Sequence, residues 1–143
     1  MFDHPKANRV IKLTHGDELG YGDFVYSYDA IDYIRSLFLG NALLGMDTRF
    51  EGIVRLDASL LQIVTSQTRV EFAKEGSKQQ IAREMKSRGF YFDTAWWIHP
   101  IGAKISNAVP DNVLVDSEGR SHFIDVYIQN TRPILEILGD LAA

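Results

Sequence analysis

The 143-residue sequence contains no cysteine. That absence excludes a disulfide framework, a thiolate zinc site and a cysteine nucleophile, and it removes any argument for an oxidising compartment. No apolar run approaches the roughly 18 residues that a membrane span needs. The first thirty residues are polar and charged, without the apolar stretch of a signal peptide. No membrane partner is therefore expected, and cytoplasmic residence is the default expectation. Positive charge is in deficit, with 15 Lys and Arg against 19 Asp and Glu and a net charge of −4. A generic nucleic-acid binder needs a basic stripe along the phosphates, which this balance does not provide. Lys74, Lys78, Arg83, Lys86 and Arg88 do cluster, but at helical spacing with Glu75 and Glu84 among them, which reads as a solvated helix face. Proline is scarce, at four residues, and no Pro-rich linker, repeat or low-complexity tract divides the chain. A single domain over residues 1–143 is the expectation. A chain of this length buries roughly 68–70% of its unfolded surface, so it needs neither metal nor disulfide merely to fold.

What is present alternates between strand and helix patterns. Residues 9–14 alternate as a strand, followed by turn chemistry at Thr14-His-Gly-Asp17. Over residues 28–44, Ala30, Ile31, Ile34, Leu37, Phe38 and Leu44 recur near helical spacing. Asp29 and Asp32 fall in the first turn, where carboxylates suit the helix dipole, and Gly40-Asn41 is a place for the helix to bend or end early. Residues 50–56 and 59–65 read as two strands joined at Asp57-Ala58, with Leu60-Leu-Gln-Ile-Val-Thr-Ser-Gln67 apolar enough to be central. Ser77-Lys-Gln-Gln80 is a capping box opening a helix that Gly89 closes, with Ile81, Ala82 and Met85 as its buried stripe. Phe90-Tyr-Phe92 and Ala95-Trp-Trp-Ile98 read as an aromatic hairpin around Asp93-Thr94. Successive strand residues face opposite ways, so one of Trp96 and Trp97 should be exposed or covered by another chain. Arg132-Pro133 starts a terminal helix through Leu138. Strands and helices are partly segregated, which makes the fold class α+β, a small and mainly antiparallel sheet with two to three helices.

The most informative stretch is Asn107-Ala-Val-Pro110-Asp-Asn112-Val-Leu-Val115-Asp-Ser-Glu-Gly119-Arg-Ser-His-Phe123-Ile-Asp125. Thirteen positions separate Asn112 from Asp125, room for two short strands and a tight four-residue turn. Such a hairpin returns both oxygen donors to the same end, where a hard cation such as magnesium can sit between them. The same residues also have plain structural uses. Asn112 can cap a turn before a strand, Asp125 can end one, and a lone Lys12 in an apolar strand can simply face water.

Residues 9–128 resemble the serine/threonine/tyrosine kinase-like domain of large polyvalent proteins from phages and mobile elements. The matching residues are Val10-Ile-Lys12-Leu-Thr14, Asn41-Ala-Leu-Leu-Gly-Met-Asp-Thr48, Leu61-Gln-Ile-Val-Thr-Ser-Gln67, Arg88-Gly89-Phe90, and Pro110-Asp-Asn112-Val-Leu-Val115 with Phe123-Ile-Asp125. The resemblance implies that Lys12 contacts nucleotide phosphates, that Asn112 and Asp125 chelate magnesium, and that Leu61 to Gln67 leads into a hinge that reads a nucleobase. ATP with magnesium is the implied cofactor.

The chain departs from that pattern in four places. Five positions before Asn112, where kinases place the carboxylate that accepts the substrate proton, stands Asn107, and Ile105 and Ser106 occupy the preceding His and Arg places. Only eleven residues precede Lys12, too few for a Gly-rich loop, with Gly16, Gly20 and Gly22 following it instead. No Glu lies between Glu18 and Glu51 to pair with the lysine, which leaves Asp29 and Asp32. Val126-Tyr127 follows Asp125 in place of Phe-Gly, and sixteen residues remain after it. The expectation is a truncated, degenerate kinase-like module that binds nucleotide weakly through Lys12, Asn112 and Asp125 and transfers phosphate inefficiently. The alternative is an interaction domain without ligand, forming a homo-oligomer through its aromatic hairpin or sheet edges. His4, His15, His99 and His122 lack metal-ligand spacing, so no zinc site is expected.

Overall fold

The computed structural model describes residues 2–3, 8–13, 30–55, 61–71 and 73–143. Four antiparallel strands, β1 (Phe2–Asp3), β2 (Arg9–Leu13), β3 (Arg49–Arg55) and β4 (Leu61–Thr68), pair in the order β1-β2-β4-β3, so the expected central strand is central. Lys12 pairs with Thr65 in this sheet and Arg9 with Thr68. Strand β4 runs three residues beyond the expected 65 because its polar end is satisfied from the neighbouring strand. Arg9 is buried and donates to Ser66 Oγ at 2.8 Å, Ser66 O at 2.9 Å, Thr68 Oγ1 at 3.0 Å, Asp47 Oδ2 at 2.8 Å and Asp47 O at 2.9 Å. All five guanidinium N–H groups are thus used, the condition for burying an arginine. Burial works against the Asp47 charge, yet the Thr68 hydroxyl and then Arg9 hold its carboxyl below the usual range. The joint expected at Asp57-Ala58 lies outside the described residues.

Helix α1 (Ala30–Leu44) connects the second and third strands and runs through Gly40-Asn41 without ending. Gly40 is there for close approach, since a Cβ would stand 2.8 Å from Met46 Sδ. Asn41 ties the exit down: Nδ2 donates to Thr48 O at 2.7 Å and Oδ1 accepts from Thr48 N at 2.8 Å.

A second sheet holds β5 (Lys74–Glu75), β9 (Val113–Val115) and β10 (Ser121–Phe123) in the order β10-β9-β5. Between β5 and the rest lies α2 (Lys78–Ser87), whose capping box forms as expected. Ser77 Oγ accepts from Gln80 N at 3.1 Å, and Gln80 Oε1 accepts from Ser77 N at 2.8 Å. Ile81 and Met85 are buried and Ala82 is half-buried beside them. Gly89 follows the helix with φ +88°, and a Cβ there would meet His99 Nε2 at 2.9 Å. Lys78, Arg83 and Lys86 are exposed on the helix as expected. Lys74, by contrast, belongs to strand β5, and Arg88 turns back to Glu84 at 2.8 Å.

The third sheet orders β6 (Tyr91–Asp93), β7 (Trp96–His99), β8 (Ala103–Ile105) and β11 (Gln129–Asn130) as β11-β8-β7-β6. Trp97 packs on the core and meets Phe92 edge-on at 5.1 Å. One of the two tryptophans was expected to be exposed or covered by another chain, but both are half-buried. The Lys104 ammonium lies 4.4 Å from the Trp96 ring centroid, so the chain's own cation covers that ring. Helix α3 (Ile134–Ala142) extends four residues past the expected Leu138. One cluster of buried apolar side chains joins the three helices and the hairpin strands, including Leu39, Leu44, Met85, Ile105, Val113, Phe123, Ile128 and Ile137. The architecture is α+β with three small antiparallel sheets. Among the described residues no helix is long and apolar enough to cross a membrane.

Candidate functional site

The hairpin that carries the site is built by local chemistry. Pro110 opens a single 3-10 turn over Pro110–Asn112, where its fixed φ suits the first position and its missing N–H costs nothing. Strands β9 and β10 then pair Val113 with Phe123 and Val115 with Ser121, and the valines and the phenylalanine are buried. The turn takes five residues, 116–120, against the expected four. Asp116 organises it by accepting from Glu118 N at 2.9 Å and Arg120 N at 3.0 Å, while His122 Nε2 lies 2.8 Å from its other oxygen. His122, followed by the Arg120 backbone, holds the Asp116 carboxyl well below the usual range. At the open end Ile124 N donates to Asn112 O at 2.9 Å, which brings Asn112 and Asp125 to the same end of the hairpin.

Lys12 reaches this end from the first sheet. Its Nζ lies 2.6 Å from Asp125 Oδ1 and 3.1 Å from Gln67 Oε1, joining residues 113 apart in sequence. The pair is partly buried, with side chains 19% and 39% exposed. Asp125 adopts φ +48°, a left-handed conformation that Asp tolerates better than most residues. The neutral Gln67 completes the contact. Its Nε2 donates at 2.7 Å to both Met46 O and Phe123 O, so one buried amide links the first sheet, the α1 exit and the hairpin to the Lys12 ammonium.

Asn107 holds the backbone on both sides of Val126. Its Nδ2 donates to Asp125 O at 2.9 Å and its Oδ1 accepts from Tyr127 N at 3.0 Å. Asn112 Nδ2 donates to Asn107 O at 2.9 Å, so Asn112 connects to Asp125 through Asn107. A carboxylate at position 107 cannot make this clamp, because it has no donor for the Asp125 carbonyl. Tyr33 on α1 is buried, and burial, then the Asp125 charge, push its phenol up to about 12.

The structure therefore brings Lys12 and Asp125 into direct contact and sets Asn112 one residue away through Asn107. Sequence reasoning missed Gln67 as a site residue and missed Tyr33. The polar ending of an otherwise apolar central strand was the available signal for Gln67. For Tyr33 there was no local signal, since the Asp125 charge acts on it across 92 positions and only in the folded chain. The expected partners Asp29 and the Asp32 side chain lie outside the described residues, as do Gly16, Gly20 and Gly22. Among the residues described, the counter-charge of Lys12 is Asp125.

As a metal site the donor set is sparse. No group of three or more His, Cys, Asp or Glu able to hold an ion occurs among the described residues. Asp125 carries a carboxylate and Asn112 an amide oxygen, hard donors of the type magnesium takes, and its remaining ligands would have to come from water and phosphates. No family model matches this chain, and no curated protein or solved structure is significantly similar to it.

Proposed function

We propose that this chain is a degenerate kinase-like module. It binds a nucleotide weakly with magnesium through Lys12, Asn112 and Asp125, and it does not transfer phosphate efficiently. The observation that carries the reading is the 2.6 Å contact between Lys12 Nζ and Asp125 Oδ1. An ammonium suited to phosphate oxygens and a carboxylate suited to magnesium sit side by side, as the kinase-like resemblance of these residues implies. When bound, magnesium would neutralise phosphate charge at Asp125 and Asn112, while Lys12 would turn from Asp125 toward the phosphates. Exchange of that contact offsets part of the binding energy. A loss of about 1.4 kcal/mol already weakens affinity tenfold.

The proposal of inefficient transfer rests on Asn107. Its amide is occupied at both ends by backbone, and a neutral amide cannot take a proton as a carboxylate does. A lost general base typically costs about 10²- to 10⁴-fold in rate.

A second reading, an interaction domain with no ligand, draws on the same contact seen otherwise: Lys12 and Asp125 already neutralise one another. Thermal melts with millimolar magnesium ATP separate the two. Nucleotide at 100 times its dissociation constant stabilises by roughly 2.7 kcal/mol. The melting temperature of the wild type should rise and that of Asp125→Ala should not. No rise at millimolar nucleotide would reject the binding reading and favour the second. Radiolabelled phosphate transfer above an Asn112→Ala background would instead establish an active enzyme.

A further inference from the structure

Helix α2, the aromatic hairpin and Ser106, Ala108, Val109 and Pro110 line an open groove of about 520 Å³. Its floor is apolar, formed by Ile81, Ala82, Phe92, Trp97, Val109 and Pro110. Phe92 is 56% exposed and Val109 42%. Its charged lining residues are Lys78 and Lys86, and among the described residues no carboxylate lines it. The net charge of −4 makes this a local reversal of sign.

Helix α3 offers the complement. Ile134 and Ile137 face the core, while Leu135, Gly139 and Ala142 are exposed. At 100° per residue these three fall on one stripe, spaced i, i+4, i+7. Leu135 is 65% exposed, and a Cβ at Gly139 would meet nothing within 4 Å, so the stripe is open. The carboxylates of Glu136 and Asp140 border it, Asp140 also pairing with Arg132. Lys78 and Lys86 stand about 12 Å apart along α2 and Glu136 and Asp140 about 6 Å apart along α3, at 1.5 Å per residue, a difference that the long lysine side chains can span.

We infer that the groove receives α3 of a second copy of this chain. Leu135 enters the cleft between Phe92 and Val109, and Glu136 and Asp140 face Lys78 and Lys86. Apolar anchors in the cleft carry affinity, and the flanking charges set orientation. This contact involves neither Lys12 nor Asp125, and it stands whether or not nucleotide binds.

Sedimentation velocity on the full chain, from micromolar to submillimolar concentration, tests it. Association should rise with concentration and weaken with added salt. The exposed-residue variants Leu135→Asp and Lys78→Glu/Lys86→Glu should each be monomeric, with circular dichroism melts confirming that they fold. Mixing Lys78→Glu/Lys86→Glu with Glu136→Lys/Asp140→Lys should restore association between the two proteins, since both facing pairs are then reversed. A wild type that stays monomeric, association that survives both variants, or a charge-swapped mixture that fails to associate would each overturn the inference.

Discussion

Lys12 Nζ and Asp125 Oδ1 lie 2.6 Å apart although 113 positions separate them in the chain, and Gln67 bonds the same ammonium at 3.1 Å. This contact fastens the first sheet to the C-terminal hairpin. Asp125→Asn retains the side-chain shape and the tolerance for φ +48° but removes the charge. A double-mutant cycle with Lys12→Met should give a coupling of about 0.5–1 kcal/mol, typical of a partly exposed ion pair. Urea denaturation of the four proteins measures it, and additive effects would mean that the pair is energetically silent.

Among the described residues, Gln67 makes three side-chain hydrogen bonds, against two for Lys12 and one for the Asp125 carboxylate. Gln67→Leu leaves the Met46 and Phe123 carbonyls without their donor and takes an acceptor from Lys12. Stability should fall by about 2–3 kcal/mol, the cost of orphaned buried acceptors. Chemical denaturation checks this, and a change below half a kcal/mol would contradict the hub described above.

Placing a carboxylate at position 107 should not produce phosphate transfer. In Asn107→Asp the Asp125 carbonyl loses its donor. The variant should be less stable by about 1–3 kcal/mol, with no gain in phosphate transfer. A gain would show that position 107 can serve chemistry rather than the clamp.

Alkaline pH should loosen the fold through Tyr33. Its phenol ionises near 12 in the folded chain against an ordinary 10, chiefly from burial and secondarily from the Asp125 charge. Because the folded pKa is the higher one, this contribution is complete below pH 10 and is lost between pH 10 and 12. At about 1.4 kcal/mol per pH unit, the loss approaches 2–3 kcal/mol. Tyr33→Phe should show a flatter decline over that window in urea titrations. Identical slopes would place Tyr33 in a more solvated environment.

The sequence was most readable where chemistry is local. The Ser77–Gln80 capping box and the Val113–Phe123 pairing depend on residues close in the chain, and their elements formed where residue type placed them, although the turn between the hairpin strands is one residue longer than expected. The Gly40-Asn41 break did not form, because tertiary packing uses Gly40 to admit Met46 and Asn41 to hold Thr48. The short strands β5, β8 and β11 carry too little alternation to be seen without their partners. At the candidate site, Asn112 and Asp125 were singled out by residue type and spacing, and Lys12 only through the kinase-like resemblance. Gln67 was not, since an amide's partners across 21 and 56 positions are properties of the fold. Asn107 read as a missing base, and its use as a two-ended backbone clamp emerged only from the geometry.

Manganese ATP in place of magnesium ATP locates a bound cation directly, through paramagnetic broadening in nuclear magnetic resonance spectra of the labelled chain. Titration should broaden the Asn112 side-chain amide and the backbone amides of Ile124 and Asp125 first, and Lys12→Met with Asp125→Asn should abolish the effect. Uniform broadening, or broadening centred away from the open end of the hairpin, would contradict a nucleotide site at Lys12, Asn112 and Asp125.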